Sequence, residues 1–97
     1  MPTPAQYDRR RLLDSALSDE TKGHWDSARR TYRVLGSLFP ADGEIHEKMA
    51  RVMARLGRTQ DWYASTLAAA SCYETSGDLR RSQELYSQLD HHLRPAA

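Results

Sequence analysis

The segment Gly23-His24-Trp25-Asp26-Ser27-Ala28-Arg29-Arg30-Thr31-Tyr32-Arg33-Val34-Leu35 decides the fold, because a later segment repeats its pattern. The second copy, 54 residues further on, is Gly77-Asp78-Leu79-Arg80-Arg81-Ser82-Gln83-Glu84-Leu85-Tyr86-Ser87-Gln88-Leu89. Both copies carry glycine, a bulky apolar residue, a small residue, tyrosine and leucine at the same offsets. A turn glycine followed by apolar residues near a 3.6-residue period is typical of a helix that begins after a turn. The repeat therefore predicts a chain built from similar helical units.

Helix-breaking residues divide the chain into five predicted helices. Gly23, Pro40, Gly57 and Gly77 stand between stretches of helical periodicity. Thr3-Pro4-Ala5-Gln6 is a capping-box sequence with proline at the first helical position. The predicted helices run from Pro4 to about Lys22, from Trp25 to Phe39, from a cap at Asp42 to Leu56, from Thr59 to Ser76 and from Leu79 to about Leu93. No useful stretch alternates as a strand does, so we expect an all-α fold of antiparallel helical hairpins.

Length, charge and apolar content limit the classes of function. Ninety-seven residues suffice for one small domain, so we expect a single domain over residues 1–97. Fourteen Lys and Arg against 13 Asp and Glu give a formal charge of +1, whereas a duplex-binding surface needs a basic excess. The longest apolar run is Leu67-Ala68-Ala69-Ala70, and the first residues lack the apolar stretch of a signal peptide. These features predict a cytoplasmic protein that binds neither nucleic acid nor membrane.

No group of residues meets the requirements of a catalytic or metal site. Cys72, the single cysteine, excludes an internal disulfide and is expected to be an inert apolar residue inside a helix. The histidines lack the two-histidine spacing of a helical zinc site, and the carboxylate pairs lie in strongly polar stretches. These groups are His24, His46, His91 and His92, with Asp19-Glu20 and Glu44-Glu47. We therefore predict a protein that is not an enzyme and uses no cofactor or metal.

The repeated positions resemble the tetratricopeptide repeat (TPR) family, whose 34-residue unit is two antiparallel helices with small residues where they cross. The matching residues are Gly23, Trp25, Ala28, Tyr32 and Pro40 in one copy, Met49, Ala50, Met53 and Gly57 in the next, and Ala69, Ala70, Tyr73, Gly77, Ser82 and Tyr86 in the last. The resemblance covers roughly Arg9 to Leu93. Asp19 and Trp62 depart from the family pattern, and a helical hairpin bundle of another lineage is the alternative.

The resemblance implies a short right-handed solenoid of about two and a half to three repeats that binds another protein. Because Gly77 follows Gly57 by only 20 residues, the helix between them is expected to close one hairpin and open the next. The family holds a peptide or a helix along a concave face, which the first helix of each hairpin mainly lines. Projected onto this chain, the partner-binding residues are Leu13, Leu17, Glu44, Glu47, Lys48, Arg51, Arg55, Trp62, Thr66 and Tyr73.

Three roles for such a module stay open at this stage. It can be an adaptor for a protein partner, a small chaperone that shields an assembly or secretion subunit, or a self-associating module such as a homodimer. Trp62 fits a core position and an interface position equally well, since tryptophan is frequent among interface hot spots. Arg51 and Arg55 share a helix face, and we expect glutamate at both positions to abolish partner binding without lowering the melting temperature.

Overall fold

The computed structural model describes residues 4–93, with side chains described from residue 8 onward, and it contains five helices. They are α1 (Pro4–Thr21), α2 (Trp25–Leu38), α3 (Gly43–Arg55), α4 (Thr59–Ser76) and α5 (Leu79–Leu93). The described residues form no strand, so the predicted all-α class with five helices is confirmed. None of these helices is long and apolar enough to cross a bilayer. The capping box predicted at Thr3 lies outside the described residues.

Three of the four connections between helices use the same glycine turn. Gly23, Gly57 and Gly77 have φ angles of 76°, 71° and 91°, a left-handed conformation that glycine adopts without steric cost. In each turn the glycine N–H donates to the carbonyl three residues earlier, and the next N–H donates to the carbonyl five residues before it. This paired bonding closes the free carbonyl end of a helix. Helices α1, α3 and α4 therefore all end in the same way.

The connection between α2 and α3 is different, because Pro40 stops α2 and Asp42 starts α3. The Asp42 side chain accepts a hydrogen bond of 3.3 Å from the Ile45 N–H, which confirms the predicted cap. The His46 Nε2 atom lies 2.8 Å from the Pro40 carbonyl oxygen and ties the first turn of α3 to this corner. Proline and a capping aspartate thus set the corner that brings α3 back beside α2.

Small residues lie at the helix crossings, as the repeat pattern predicts. Each helix packs on its neighbours in the chain, and α4 packs on both α3 and α5. All six small crossing residues are buried: Ala16, Ala28, Ala50, Ala69, Ala70 and Ser82. One apolar cluster joins α1, α2 and α3 around Tyr32 and Leu35, and a second joins α4 and α5 around Leu85. Short side chains let the backbones approach, while larger ones fill the grooves between helices.

Two glycines at close contacts are expected to respond oppositely to alanine. A Cβ at Gly43 would lie 3.1–3.2 Å from three atoms of the Tyr73 ring, and the Tyr73 hydroxyl is bonded to Glu47. A Cβ at Gly36, inside α2, would lie 3.0 Å from the terminal methyl of Met49, which can rotate away. We expect Gly43→Ala to lower the free energy of unfolding by about 1–3 kcal/mol. Gly36→Ala should leave it unchanged or raise it by up to about 1 kcal/mol.

Urea unfolding of the two variants beside the unchanged protein checks this prediction. Each variant is the other's control, because both add one methyl group to a glycine at a helix–helix contact. Equal losses of stability in the two variants would show that ring rigidity at Tyr73 does not decide the outcome.

Candidate functional site

Glu20 joins the first three helices through its carboxylate. The buried Tyr32 hydroxyl, from α2, donates a short hydrogen bond to Glu20 Oε2. Arg51, from α3, meets the same carboxylate with two nitrogens, Nε to Oε1 at 2.8 Å and Nη2 to Oε2 at 2.7 Å. Only 9% of the Glu20 side chain is exposed. The paired geometry is that of a strong, charge-assisted contact, so Arg51 is held in a defined orientation.

These contacts decide the ionisation of the three groups. Burial raises the pKa of Glu20, but the hydrogen bonds from Arg51 and Tyr32 outweigh it and lower that pKa below its usual value. Burial and the bond to Glu20 raise the pKa of the Tyr32 hydroxyl, and the bond to Glu20 raises the pKa of Arg51. Since the Glu20 pKa is lowered in the fold, the ion pair stabilises the protein above the ordinary pKa of 4.5 and is lost in acid.

Glu47 repeats this arrangement one helix further along the chain. The Tyr73 hydroxyl, from α4, donates to Glu47 Oε1 at 2.9 Å. Arg81, from α5, donates from Nε to the same oxygen at 3.3 Å and pairs with Oε2 through Nη2. The order glutamate, tyrosine, arginine on three successive helices is thus the same as in the Glu20 group. Sequence analysis did not identify Glu20 or Arg81 as partners of these residues, although their separations of 31 and 34 residues are close to the repeat length.

A cleft between α3, α4 and α5 brings together four of the residues predicted to bind a partner. It has a volume of about 170 Å³. The four predicted residues in its lining are Glu47, Arg51, Trp62 and Thr66, and the others are Ala50, Leu85 and Gln88. Sequence analysis treated Ala50 and Leu85 only as repeat residues, and nothing in the sequence distinguishes Gln88. The cleft has an apolar floor and a polar rim.

Trp62 is the wall of this cleft and is half-buried. Its ring meets the His92 ring edge to face, with the ring centroids 4.9 Å apart. A second depression of about 210 Å³, lined by Ala54, Thr59 and His92, lies on the other side of the same indole. Trp62 is therefore neither a fully enclosed core residue nor a freely exposed one.

The other predicted site residues do not line the cleft. Lys48 lies 3.6 Å from Glu44, and the Arg55 guanidinium lies over the Trp25 ring, 4.8 Å from its centroid. Tyr73 reaches the cleft only through its bond to Glu47. On α1, Leu13 and Leu17 are both half-buried, and Leu13 packs against the first apolar cluster.

The corner between α2 and α3 forms a larger, open cleft of about 640 Å³ against the end of α4. Residues 39–44 line one side of it, and Cys72, Tyr73 and Ser76 line the other. The Cys72 thiol donates to the Pro40 carbonyl oxygen at 3.5 Å. Burial, and to a smaller extent the Asp42 charge, raise the pKa of this thiol, so it stays protonated at neutral pH. A thiol in this state is a poor nucleophile.

Within residues 4–93, no three His, Cys, Asp or Glu side chains come together as a group that could hold a metal ion. Comparisons of the chain with protein-family models, with curated proteins and with solved structures find no match. The resemblance to tetratricopeptide repeats therefore rests on the residues and on the geometry described above.

Proposed function

We propose that this chain is a protein-interaction module that binds a peptide or an amphipathic helix of a partner protein across the cleft between α3, α4 and α5. The observation that carries the proposal is the convergence of Trp62, Leu85 and Ala50 beneath a rim of Glu47 and Arg51. Helix-in-groove recognition uses apolar anchors from one helix face, and this floor is suited to receive one of them.

The size of the cleft favours a side chain over a small molecule as its occupant. Pockets for cofactors and other small ligands usually enclose about 300–1,000 Å³. A cleft of about 170 Å³ holds one or two side chains, and a tryptophan wall is typical of a binding hot spot. The proposed role is therefore that of an adaptor without catalytic activity.

The charges at the rim point to the chemistry of the partner. Arg51 is already paired with Glu20, and Glu47 is already paired with Arg81. A rim whose charges are balanced by its own fold does not demand a strongly charged ligand. We therefore favour an amphipathic partner that places a large apolar side chain between Trp62 and Leu85 and polar side chains on both sides of it.

The architecture proposed with this function is a short right-handed solenoid of the tetratricopeptide type, within a single domain. Three identical glycine turns and the two glutamate groups support repetition of one structural unit. The extents of 51 × 32 × 18 Å and the radius of gyration of 14.0 Å also support it. A compact domain of this length would have a radius of gyration of about 12.5 Å.

Photo-crosslinking from the rim of the cleft tests the proposal. We expect a benzophenone amino acid at position 88 to capture one discrete partner in the cells that make this protein. The adduct should map to a single amphipathic segment of that partner. Gln83 is the matched control, because it is also an exposed glutamine on α5 and does not line the cleft. Identical products from positions 83 and 88, or none from position 88, would contradict a binding site at the cleft.

A further inference from the structure

Helix α5 has three sides with different surroundings. One side is buried against the rest of the protein and carries Ser82, Leu85 and Leu89. A second side faces α3 and the cleft, since Arg81 pairs with Glu47, Gln88 lines the cleft and His92 contacts Trp62. The remaining flank carries Leu79, Tyr86 and Leu93. At 100° per residue, this flank lies roughly 140–180° around the helix from Gln88 and His92.

The Leu79–Tyr86–Leu93 flank is an apolar stripe that is largely uncovered. Leu79 is 57% exposed and Leu93 is 62% exposed, the two highest values among the large apolar residues described as exposed. Tyr86 packs partly against the cluster formed by α4 and α5 and leaves its outer edge open. The end of a helical array normally carries a polar face towards solvent, and this stripe departs from that rule.

The spacing of the stripe is symmetric about its centre. Leu79 lies seven residues before Tyr86, and Leu93 lies seven residues after it. Seven residues are close to two helical turns, so the three side chains form one straight row. A two-fold axis through Tyr86 superimposes the row on itself, which is the property that an isologous dimer interface requires.

We propose that this flank is the contact surface for a second copy of the chain, with the two α5 helices antiparallel and crossing at Tyr86. In that arrangement Leu79 of each copy packs against Leu93 of the other, and the two Tyr86 rings meet at the centre. The contact is independent of the cleft, which lies on the other side of α5 and stays open to a partner.

Charge favours the antiparallel direction over the parallel one. Among the described residues of α5, Asp90 is the one charged side chain that projects along this flank. Parallel helices would place the two Asp90 side chains face to face. Antiparallel helices separate their positions by about 12 Å along the axis, beyond the screening length of about 8 Å at physiological salt.

The size of the surface predicts a weak dimer. The row from Leu79 to Leu93 is about 21 Å long, and a single pair of helices of this length buries less area than a standard interface of about 1,600 Å². We therefore expect a reversible equilibrium between monomer and dimer that depends on protein concentration, and not a permanent dimer.

Disulfide trapping tests both the surface and its direction. In a background that carries Cys72→Ala, we expect Leu79→Cys mixed with Leu93→Cys to form a covalent dimer under mild oxidation. Each variant alone should not, because the antiparallel arrangement holds the two copies of either residue about 21 Å apart. Val34→Cys mixed with Leu38→Cys is the matched control, since both are exposed apolar positions on α2. Trapping by either α5 variant alone, or equal trapping by the α2 pair, would overturn the proposal.

Sedimentation equilibrium on the unmodified chain gives an independent check. Leu79→Glu should weaken the dimer at least about tenfold, since each substitution removes two buried leucine contacts from the symmetric interface. Leu67→Glu, at an exposed leucine of α4, should leave the association unchanged. A protein that stays monomeric at all concentrations, or an effect of Leu67→Glu equal to that of Leu79→Glu, would refute the α5 interface. Crosslinking from position 88 tests the cleft separately, so either proposal can fail alone.

Discussion

Replacing Gly77 with proline is expected to unfold α5 while the first three helices stay folded. Gly77 has a φ angle of 91°, whereas proline is fixed near −65°, so the turn between α4 and α5 cannot form. The substitution also removes the Gly77 N–H that donates to the Glu74 carbonyl. The local cost is about 3 kcal/mol or more. The apolar cluster of α1, α2 and α3 is separate from the cluster that α5 completes, so the loss should be local.

Hydrogen exchange resolved by segment is the measurement for Gly77→Pro. Amides of α5 should exchange at nearly the rate of an unfolded chain, and those of α1 and α2 should keep most of their protection. Gly77→Asn is the control, because asparagine tolerates a positive φ angle and should keep α5 folded. Uniform loss of protection over all five helices would show that the chain unfolds as one cooperative unit.

The helices were predictable because the signals that divide them are local. Gly23, Gly57 and Gly77 act through their own backbone angles, and Asp42 caps a helix three residues away. Such contacts depend on neighbours in the sequence and are readable from it. The small crossing residues were also predictable, since an alanine repeated at helical spacing has few other uses in a packed interior.

The cleft was only partly predictable, because its shape depends on contacts between distant residues. Arg51 belongs to the predicted set, but its attachment to Glu20 spans 31 positions, and no local pattern shows it. Leu13 and Leu17 were projected onto a partner-binding face from the family resemblance. In the structure both are half-buried on α1 and lie outside the cleft lining. A face inherited from a repeat pattern is therefore only as accurate as the register of that repeat.

Helix α4 shows how the structure adds to the sequence pattern. The short spacing between Gly57 and Gly77 indicated a helix shared by two hairpins. The structure shows α4 packed on both α3 and α5, and its last turn has the same bonding as the last turns of α1 and α3. By its start α4 follows a hairpin turn, and by its end it opens another one. Sharing one helix lets five helices contain two similar glutamate groups.

Arg51→Glu and Arg55→Glu are expected to separate in their effects on stability, although the two residues share a helix face. Sequence analysis expected neither change to lower the melting temperature. The structure alters this expectation for Arg51, because a glutamate there would face the carboxylate of Glu20, of which only 9% is exposed. Losing the pair and adding a like charge should cost about 2–3 kcal/mol, or roughly 10–20 °C in melting temperature. Arg55→Glu loses one contact with Trp25 and should cost about 0.5–1 kcal/mol.

Thermal unfolding from neutral pH to below pH 4 checks both the size and the cause of the difference. The destabilisation by Arg51→Glu should shrink as the pH falls below the ordinary glutamate pKa of 4.5. Protonation removes the repulsion in the variant and the ion pair in the unchanged protein, so the two proteins approach each other in stability. A deficit that is independent of pH would instead assign the loss to packing of the Arg51 side chain. Equal losses in the two variants at neutral pH would show that the Glu20 contact contributes nothing to the fold, and the orientation of Arg51 at the cleft would then need another source.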